Sequence, residues 1–356
     1  MTRPRVRDDL AELVGYHSPQ VEVEVRLNTN EAPEPPPAAF AEAVAEAARE
    51  LEWHRYPDRA ATELRTAVGA LYGLGPEQVF CANGSNEVLQ TVLLTFAGPG
   101  RRTLTFEPTY ALHSHLSRIT GSTAVAVDRE AGFVIDPQRA AAAVLDHRPA
   151  VTFLCSPNNP TGMVEPAETI DLVLDAVEEI GGLLIVDEAY GEFNPRSAVD
   201  LLDEDRSLVV TKTYSKTWAM AGARLGYLLG PAWLVDELEL VVLPYHLDSL
   251  KQAAGLAALG FVDEMNARVA AIVEERGRIE ARLGELGCEV WPSGANFVLF
   301  RPPVPGGEVW QRLVERSVLV RNTASWHHLD GCLRVTVGTP GENGRFLTAL
   351  TDILER

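Results

Sequence analysis

The stretch Leu183-Leu184-Ile185-Val186-Asp187-Glu188-Ala189-Tyr190 decides how the rest of the chain is read. Its first four residues form a short apolar run that reads as a buried strand, with a carboxylate at the carboxyl end. In parallel α/β sheets, ligands bind outside those carboxyl ends. A carboxylate buried there calls for a cationic partner, because an unpaired buried charge is costly. The alternative is an Asp that caps the next helix. Tyr190 follows three residues on.

Outward from this strand the pattern repeats. Runs at 103–106, 124–127, 151–155, 208–211 and 225–229 are strand-like, and helical stretches near 85–97, 109–119, 137–146 and 166–179 alternate with them. Such alternation predicts a largely parallel sheet covered by helices. Residues 1–37 read as irregular and end in Pro35-Pro36-Pro37, which cannot sit inside a helix. Helices are expected over 38–52 and 60–72. After Pro231 a single long helical region spans 249–286. Strands near 288–291, 296–301, 318–321 and 332–337 follow, with helices near 305–315 and 341–354. This is the pattern of a smaller α+β domain behind a connecting helix. The expected organisation is an N-terminal arm at 1–36, packed on the small domain or a partner subunit, a large domain at 37–245 and a small domain at 246–356.

Composition excludes several classes. A chain of 356 residues suits two domains. The net charge of -19 disfavours a nucleic-acid binder but leaves room for local arginine pockets around anions. No apolar run reaches the roughly 18 residues of a membrane span, and the N-terminus lacks a signal-peptide core. Cys81, Cys155, Cys288 and Cys332 are widely spaced and read as buried thiols in a reducing cytoplasm. His327-His328 read as loop residues rather than ligands, and the histidines otherwise show no metal-ligand spacing, so no metal is expected. Of the 31 basic residues only Lys212, Lys216 and Lys251 are lysines, which leaves an amine-dependent reaction three side-chain candidates.

Three loops carry the remaining chemistry. Lys216 lies in Thr211-Lys212-Thr213-Tyr214-Ser215-Lys216-Thr217, with Arg224 eight residues on; this is a phosphate site or an ordinary surface loop. Ser156-Pro157-Asn158-Asn159-Pro160-Thr161-Gly162 is a stiff turn at a strand end, able to hold an amide toward a ligand. Asn83-Gly84-Ser85-Asn86-Glu87 opens a helix, as an anion cradle or with Ser85 or Asn86 as a simple N-cap.

Taken in order, these segments resemble the fold-type-I pyridoxal-phosphate aminotransferases, and within them the histidinol-phosphate aminotransferases. The resemblance extends over Leu27-Asn28-Thr29-Asn30-Glu31, Arg55-Tyr56-Pro57-Asp58, Glu107-Pro108-Thr109-Tyr110 and Gly331-Cys332-Leu333-Arg334-Val335-Thr336-Val337-Gly338-Thr339. It implies a large domain with a mostly parallel seven-stranded sheet, a smaller α+β domain, pyridoxal 5'-phosphate as cofactor and a homodimer with shared sites. By the same resemblance Lys216 is the amine that joins the cofactor aldehyde and shuttles the proton. Asp187 pairs with the pyridine nitrogen, Asn159 and Tyr190 with the ring oxygen, and Tyr110 stacks on the ring. Gly84, Ser85, Asn86, Thr213, Ser215 and Arg224 surround the phosphate, joined by Tyr56 from the neighbouring subunit. Arg334 would clamp a substrate carboxylate and Arg321 the substrate phosphate, with Asn30 and Tyr16 nearby. The implied reaction is histidinol phosphate with 2-oxoglutarate. An aromatic amino-acid aminotransferase, a threonine-phosphate decarboxylase and a non-catalytic cofactor-binding regulator are the alternatives. The arm after Glu31 departs from the family pattern, which leaves the substrate more open than the cofactor chemistry.

Overall fold

The structure, a computed structural model, describes residues 3–11, 13, 15 and 21–355; Tyr16 lies outside them. The chain runs β1 (Val25–Leu27), α1 (Ala38–Glu50), α2 (Thr62–Tyr72), β2 (Val79–Ala82), α3 (Ser85–Phe96), β3 (Arg102–Glu107), α4 (Leu112–Ile119), β4 (Thr123–Asp128), α5 (Pro137–His147), β5 (Val151–Cys155), α6 (Ala167–Glu179), β6 (Leu183–Asp187), β7 (Leu208–Thr213) and β8 (Gly226–Leu229). It continues through α7 (Ala232–Glu239), α8 (Ser249–Leu259), α9 (Val262–Glu285), β9 (Glu289–Val290), β10 (Phe297–Arg301), α10 (Gly306–Val314), β11 (Val318–Asn322), β12 (Leu333–Thr336) and α11 (Pro340–Leu354).

The larger sheet has seven strands in the order β2-β8-β7-β6-β5-β3-β4. Its centre is parallel from β4 through β7, and β8 runs antiparallel to both β7 and β2. The unbroken apolar run of β6 follows from burial on both faces. Leu183 and Ile185 pack with Val88, Val92 and Leu234 of α3 and α7. Leu184 and Val186 face the opposite way, onto Val144, Val173 and Val177 of α5 and α6. Alternate side chains of a strand point to opposite faces, so a strand with no polar residue needs a helical layer on each side.

The second sheet, β1-β11-β12-β10-β9, has five strands. Its core joins Val25 and Leu27 of β1 to Phe297 and Phe300 of β10, with Ile279 of α9 and Phe346 and Leu350 of α11. Three expectations are corrected. Residues 25–27 are not irregular: β1 pairs in parallel with β11, Leu27 opposite Val320. Three residues of alternating burial are too short to give a sequence signal. The helical region 249–286 is two helices, parted at Gly260 and Phe261. Ala254 and Ala258 of α8 pack with Leu64 and Val68 of α2, not with the five-stranded sheet. Residues 232–239, unassigned from sequence, form α7. Among the described residues no helix is long and apolar enough to cross a membrane.

Gly226 marks where the sheet meets α3. A Cβ there would lie 2.3 Å from the Ser85 nitrogen and 2.6 Å from the Gly84 carbonyl carbon. Both are backbone atoms with little room to move. Gly226→Ala is therefore expected to destabilise the fold by about 1–3 kcal/mol, read as a lowered thermal midpoint. An unchanged midpoint would show that the contact is slack.

Candidate active site

Strand direction gathers the polar ends. β3, β5, β6 and β7 run parallel and finish at one edge. β2, reversed twice by way of β8, finishes there too, and β8 begins there. The loops at this edge, with residues 28–30 and two arginines of the five-stranded sheet, enclose a cavity of about 220 Å³. Asn30, Ser85, Asn86, Tyr110, Asn159, Asp187, Tyr190, Thr213, Ser215, Lys216, Arg224, Arg321 and Arg334 all line it. Gly84 sits just behind, where a Cβ would come 2.8 Å from Arg224 Nη2. Tyr56 is elsewhere, 80% exposed and stacked on Tyr245 at 4.5 Å.

Asp187 is 2% exposed. Its Oδ2 lies 2.9 Å from His113 Nε2, and its Oδ1 accepts the Ala189 N–H at 3.0 Å. The side-chain partner of Asp187 is thus a histidine, and Asp187 caps no regular helix. His113, on α4, stacks on Phe153 and meets Tyr110 edge to face. Sequence reasoning missed it. The available signal was its spacing of three from Tyr110, which puts both side chains on the same side of one helical turn.

Around Tyr190 the polar groups interlock. Asn30 Nδ2 donates to the Tyr190 hydroxyl at 2.9 Å, and Thr336 Oγ1 donates to Asn30 Oδ1 at 3.0 Å. Burial pushes the Tyr190 phenol up to about 12, against the pull of Arg334 and Asn30. Arg334 donates to Asn159 Oδ1 and, at 3.1 Å, to the Asn28 carbonyl, with its guanidinium 4.9 Å from the Phe297 ring centre.

The opposite corner suits an anion. Gly84 opens α3 with φ of 85°, and neither Ser85 nor Asn86 caps the helix through its side chain, so the simple N-cap reading does not hold. The positive end of α3 faces a chain of hydroxyls: Thr213 Oγ1 donates to Ser215 Oγ at 3.0 Å, and Arg224 Nη1 donates to the same Ser215 oxygen at 3.2 Å.

The three lysines part company here. Lys212 is buried against Glu188 at 2.9 Å and Glu192 at 3.5 Å, which hold its ammonium well above the ordinary range. Lys251 is tied to Asp248 at 3.1 Å and to Asn83. Lys216 Nζ instead points into the cavity, 3.3 Å from the Thr29 carbonyl oxygen. Burial and the nearby Arg334 and Arg224, opposed by Glu31, push its amine down to about 8.

The family profile for aminotransferase class I and II matches residues 22–350. The chain belongs to this aminotransferase family. It is 45% identical to a histidinol-phosphate aminotransferase of Mycolicibacterium smegmatis over 354 residues, covering 97% of this chain and 92% of the relative. It is 45% identical to one from Frankia casuarinae over 357 residues, covering 97% and 89%. Among solved structures, a histidinol-phosphate aminotransferase from Sinorhizobium meliloti in complex with pyridoxal-5'-phosphate superposes with a TM-score of 0.89 at 23% identity, covering 99% of this chain and 98% of that one. That likeness speaks to the fold.

The aminotransferase has few enough lysines for a direct titration. Each lysine, ¹³C-methylated in the protein free of bound small molecules, gives its own resonance. The Lys216 signal is expected to titrate near pH 8 and to move upward in Arg334→Gln, which removes a neighbouring positive charge. Lys212 should stay protonated throughout. A Lys216 midpoint at the ordinary 10.5 would contradict the stated environment.

Proposed function

We infer that this chain is a pyridoxal-phosphate-dependent histidinol-phosphate aminotransferase. It moves an amino group from histidinol phosphate to 2-oxoglutarate, giving imidazole acetol phosphate and glutamate in histidine biosynthesis. One observation carries the substrate: Arg321 and Arg334 are direct partners across β11 and β12, both are buried, and both line the cavity. Like charges facing each other across a sheet repel. A doubly charged phosphate between two guanidinium forks relieves that repulsion and forms charge-assisted hydrogen bonds. An aromatic side chain offers neither. The names of the relatives from Mycolicibacterium smegmatis and Frankia casuarinae support the same reading.

The residues fit the cofactor. Gly84 holds a φ of 85°, a conformation that residues with a side chain rarely adopt, so the floor of the anion corner is bare backbone. The buried carboxylate of Asp187 has its direction fixed by His113 and Ala189. When bound, pyridoxal phosphate supplies an aldehyde that captures the amino group and a ring that accepts electron density. Asp187 would accept the ring N–H, Asn159 and Tyr190 would donate to the ring oxygen, and Tyr110 would lie against the ring face. Ser85, Asn86, Thr213, Ser215 and Arg224 would hold the phosphate at the amino end of α3. Lys216 exchanges a proton at Nζ; with its amine near 8, both protonation states are accessible around neutral pH. Arg334 would take the carboxylate of glutamate in the second half of the cycle.

The active form in this reading is a cytoplasmic homodimer. Trp53, Tyr56, Leu240 and Leu243 are exposed apolar side chains of the kind a second copy covers, and Tyr56 would then serve the phosphate corner of the partner's site. The four cysteines are buried and free of disulfides, in keeping with a reducing compartment.

Two experiments test the reading. The purified protein is expected to be yellow, with an absorbance band that borohydride removes and that Lys216→Ala lacks; a colourless protein that takes up no pyridoxal phosphate would overturn it. In single-turnover assays Arg321→Ala should lose roughly tenfold to a hundredfold in kcat/KM on histidinol phosphate, the equivalent of about 1.5–3 kcal/mol for a charged hydrogen bond. Phenylalanine should be affected far less. An equal loss on both removes Arg321 from phosphate recognition.

A further inference from the structure

Outside the cavity, two distant segments meet at a second cluster of chemistry. Asp128 closes β4 at the edge of the seven-stranded sheet, opposite Glu107. His327 and His328 lie in the loop between β11 and β12 of the five-stranded sheet, 199 residues further along in the case of His327. His327 Nε2 is 2.8 Å from Asp128 Oδ1, and His328 Nε2 is 3.2 Å from Oδ2. One ligand atom from each residue lies within 4.8 Å of the other two.

The backbone is shaped for this meeting. Neighbouring side chains in extended chain point to opposite faces. His328 adopts φ of 59°, a left-handed conformation uncommon outside glycine, and its ring centre is 3.7 Å from that of His327. Both imidazoles therefore address the same carboxylate. All three side chains are about half exposed, so water can complete a coordination shell.

The chemistry selects the ion. Zinc bonds to imidazole nitrogen and carboxylate oxygen are about 2.0–2.2 Å long, which places neighbouring tetrahedral ligand atoms roughly 3.3 Å apart. The 2.8 and 3.2 Å separations found here, each to a different oxygen of the carboxylate, are shorter than that by about half an ångström at most. Two neutral imidazoles and one carboxylate favour zinc, nickel or copper over magnesium and calcium, which take oxygen ligands. We propose that Asp128, His327 and His328 bind one divalent transition-metal ion of the zinc class, bridging the two sheets. The ion takes the place of the imidazole–carboxylate hydrogen bonds; each Nε2 gives up its proton, to its own Nδ1 or to solvent, and no oxidation state changes. It fastens to β4 the loop that carries Trp326, whose ring centre lies 5.7 Å from the Arg321 guanidinium. The site is independent of the substrate assigned above.

Calorimetric titration of the tag-free holoenzyme with zinc chloride tests this, with magnesium chloride as a control that needs no variant. The expected result is one zinc ion per chain, no comparable heat with magnesium, and at least about tenfold weaker zinc binding in each of Asp128→Asn, His327→Gln and His328→Gln. The wild type should also gain thermal stability with zinc, and the triple variant should not. Absence of saturable one-site zinc binding, equal binding of magnesium, or a zinc isotherm unchanged in the triple variant would each overturn the proposal.

Discussion

The direction of the central strands is the constraint on which everything else rests. A strand buried on both faces is mostly apolar, and a polar side chain within it is buried away from solvent, so the groups that can meet a ligand gather at its ends. Because β3, β5, β6 and β7 share a direction, those ends form a single rim. The reversed strand β8 contributes its beginning instead, which is how Arg224, ahead of the strand, comes to face Ser215, behind another. The other wall cannot come from that sheet. It is supplied by residues 28–30 and by the cross-strand pair of arginines, so the cavity exists only where the two sheets meet.

Charge inside the cavity runs opposite to that of the whole molecule. The chain carries a net charge of -19, yet Arg224, Arg321, Arg334 and Lys216 converge on a small enclosed space that also holds Asp187. Burial out of water, together with the neighbouring Arg334 and Arg224, depresses the Lys216 amine. The acidity of the molecule as a whole therefore bears on solubility, while the positive charge gathered at the cavity is a local property.

Much of this was legible in the sequence because the informative residues sit at strand ends and are close in sequence to the runs that position them. Asp187 is the last residue of its own strand, and Lys216 lies three residues after its strand. What stayed hidden is of two kinds. Short elements give too little periodicity, as with β1, and a helix break without proline leaves the pattern of 249–286 continuous. Contacts between distant segments are invisible for a different reason: His113 is recognisable only once Asp187 is seen beside it, 74 residues away, and no spacing rule joins Asp128 to His327. Tyr16, singled out from the sequence, falls outside the described residues.

The place of β1 has a consequence for how the protein comes into being. The first strand made is the edge strand of a sheet whose other members lie near the end of the chain; the Glu24 amide bonds to Ser317, 293 residues later. During synthesis that strand has no partner until β11 has emerged, and Asn30, which bonds to Thr336 across 306 residues, waits longer still. The wall of the cavity built from residues 28–30 is thus completed only when the chain is almost finished. A nascent chain that has emerged as far as β8 holds all seven strands of the larger sheet and Lys216, but not yet the strands that fix the enclosing wall in place.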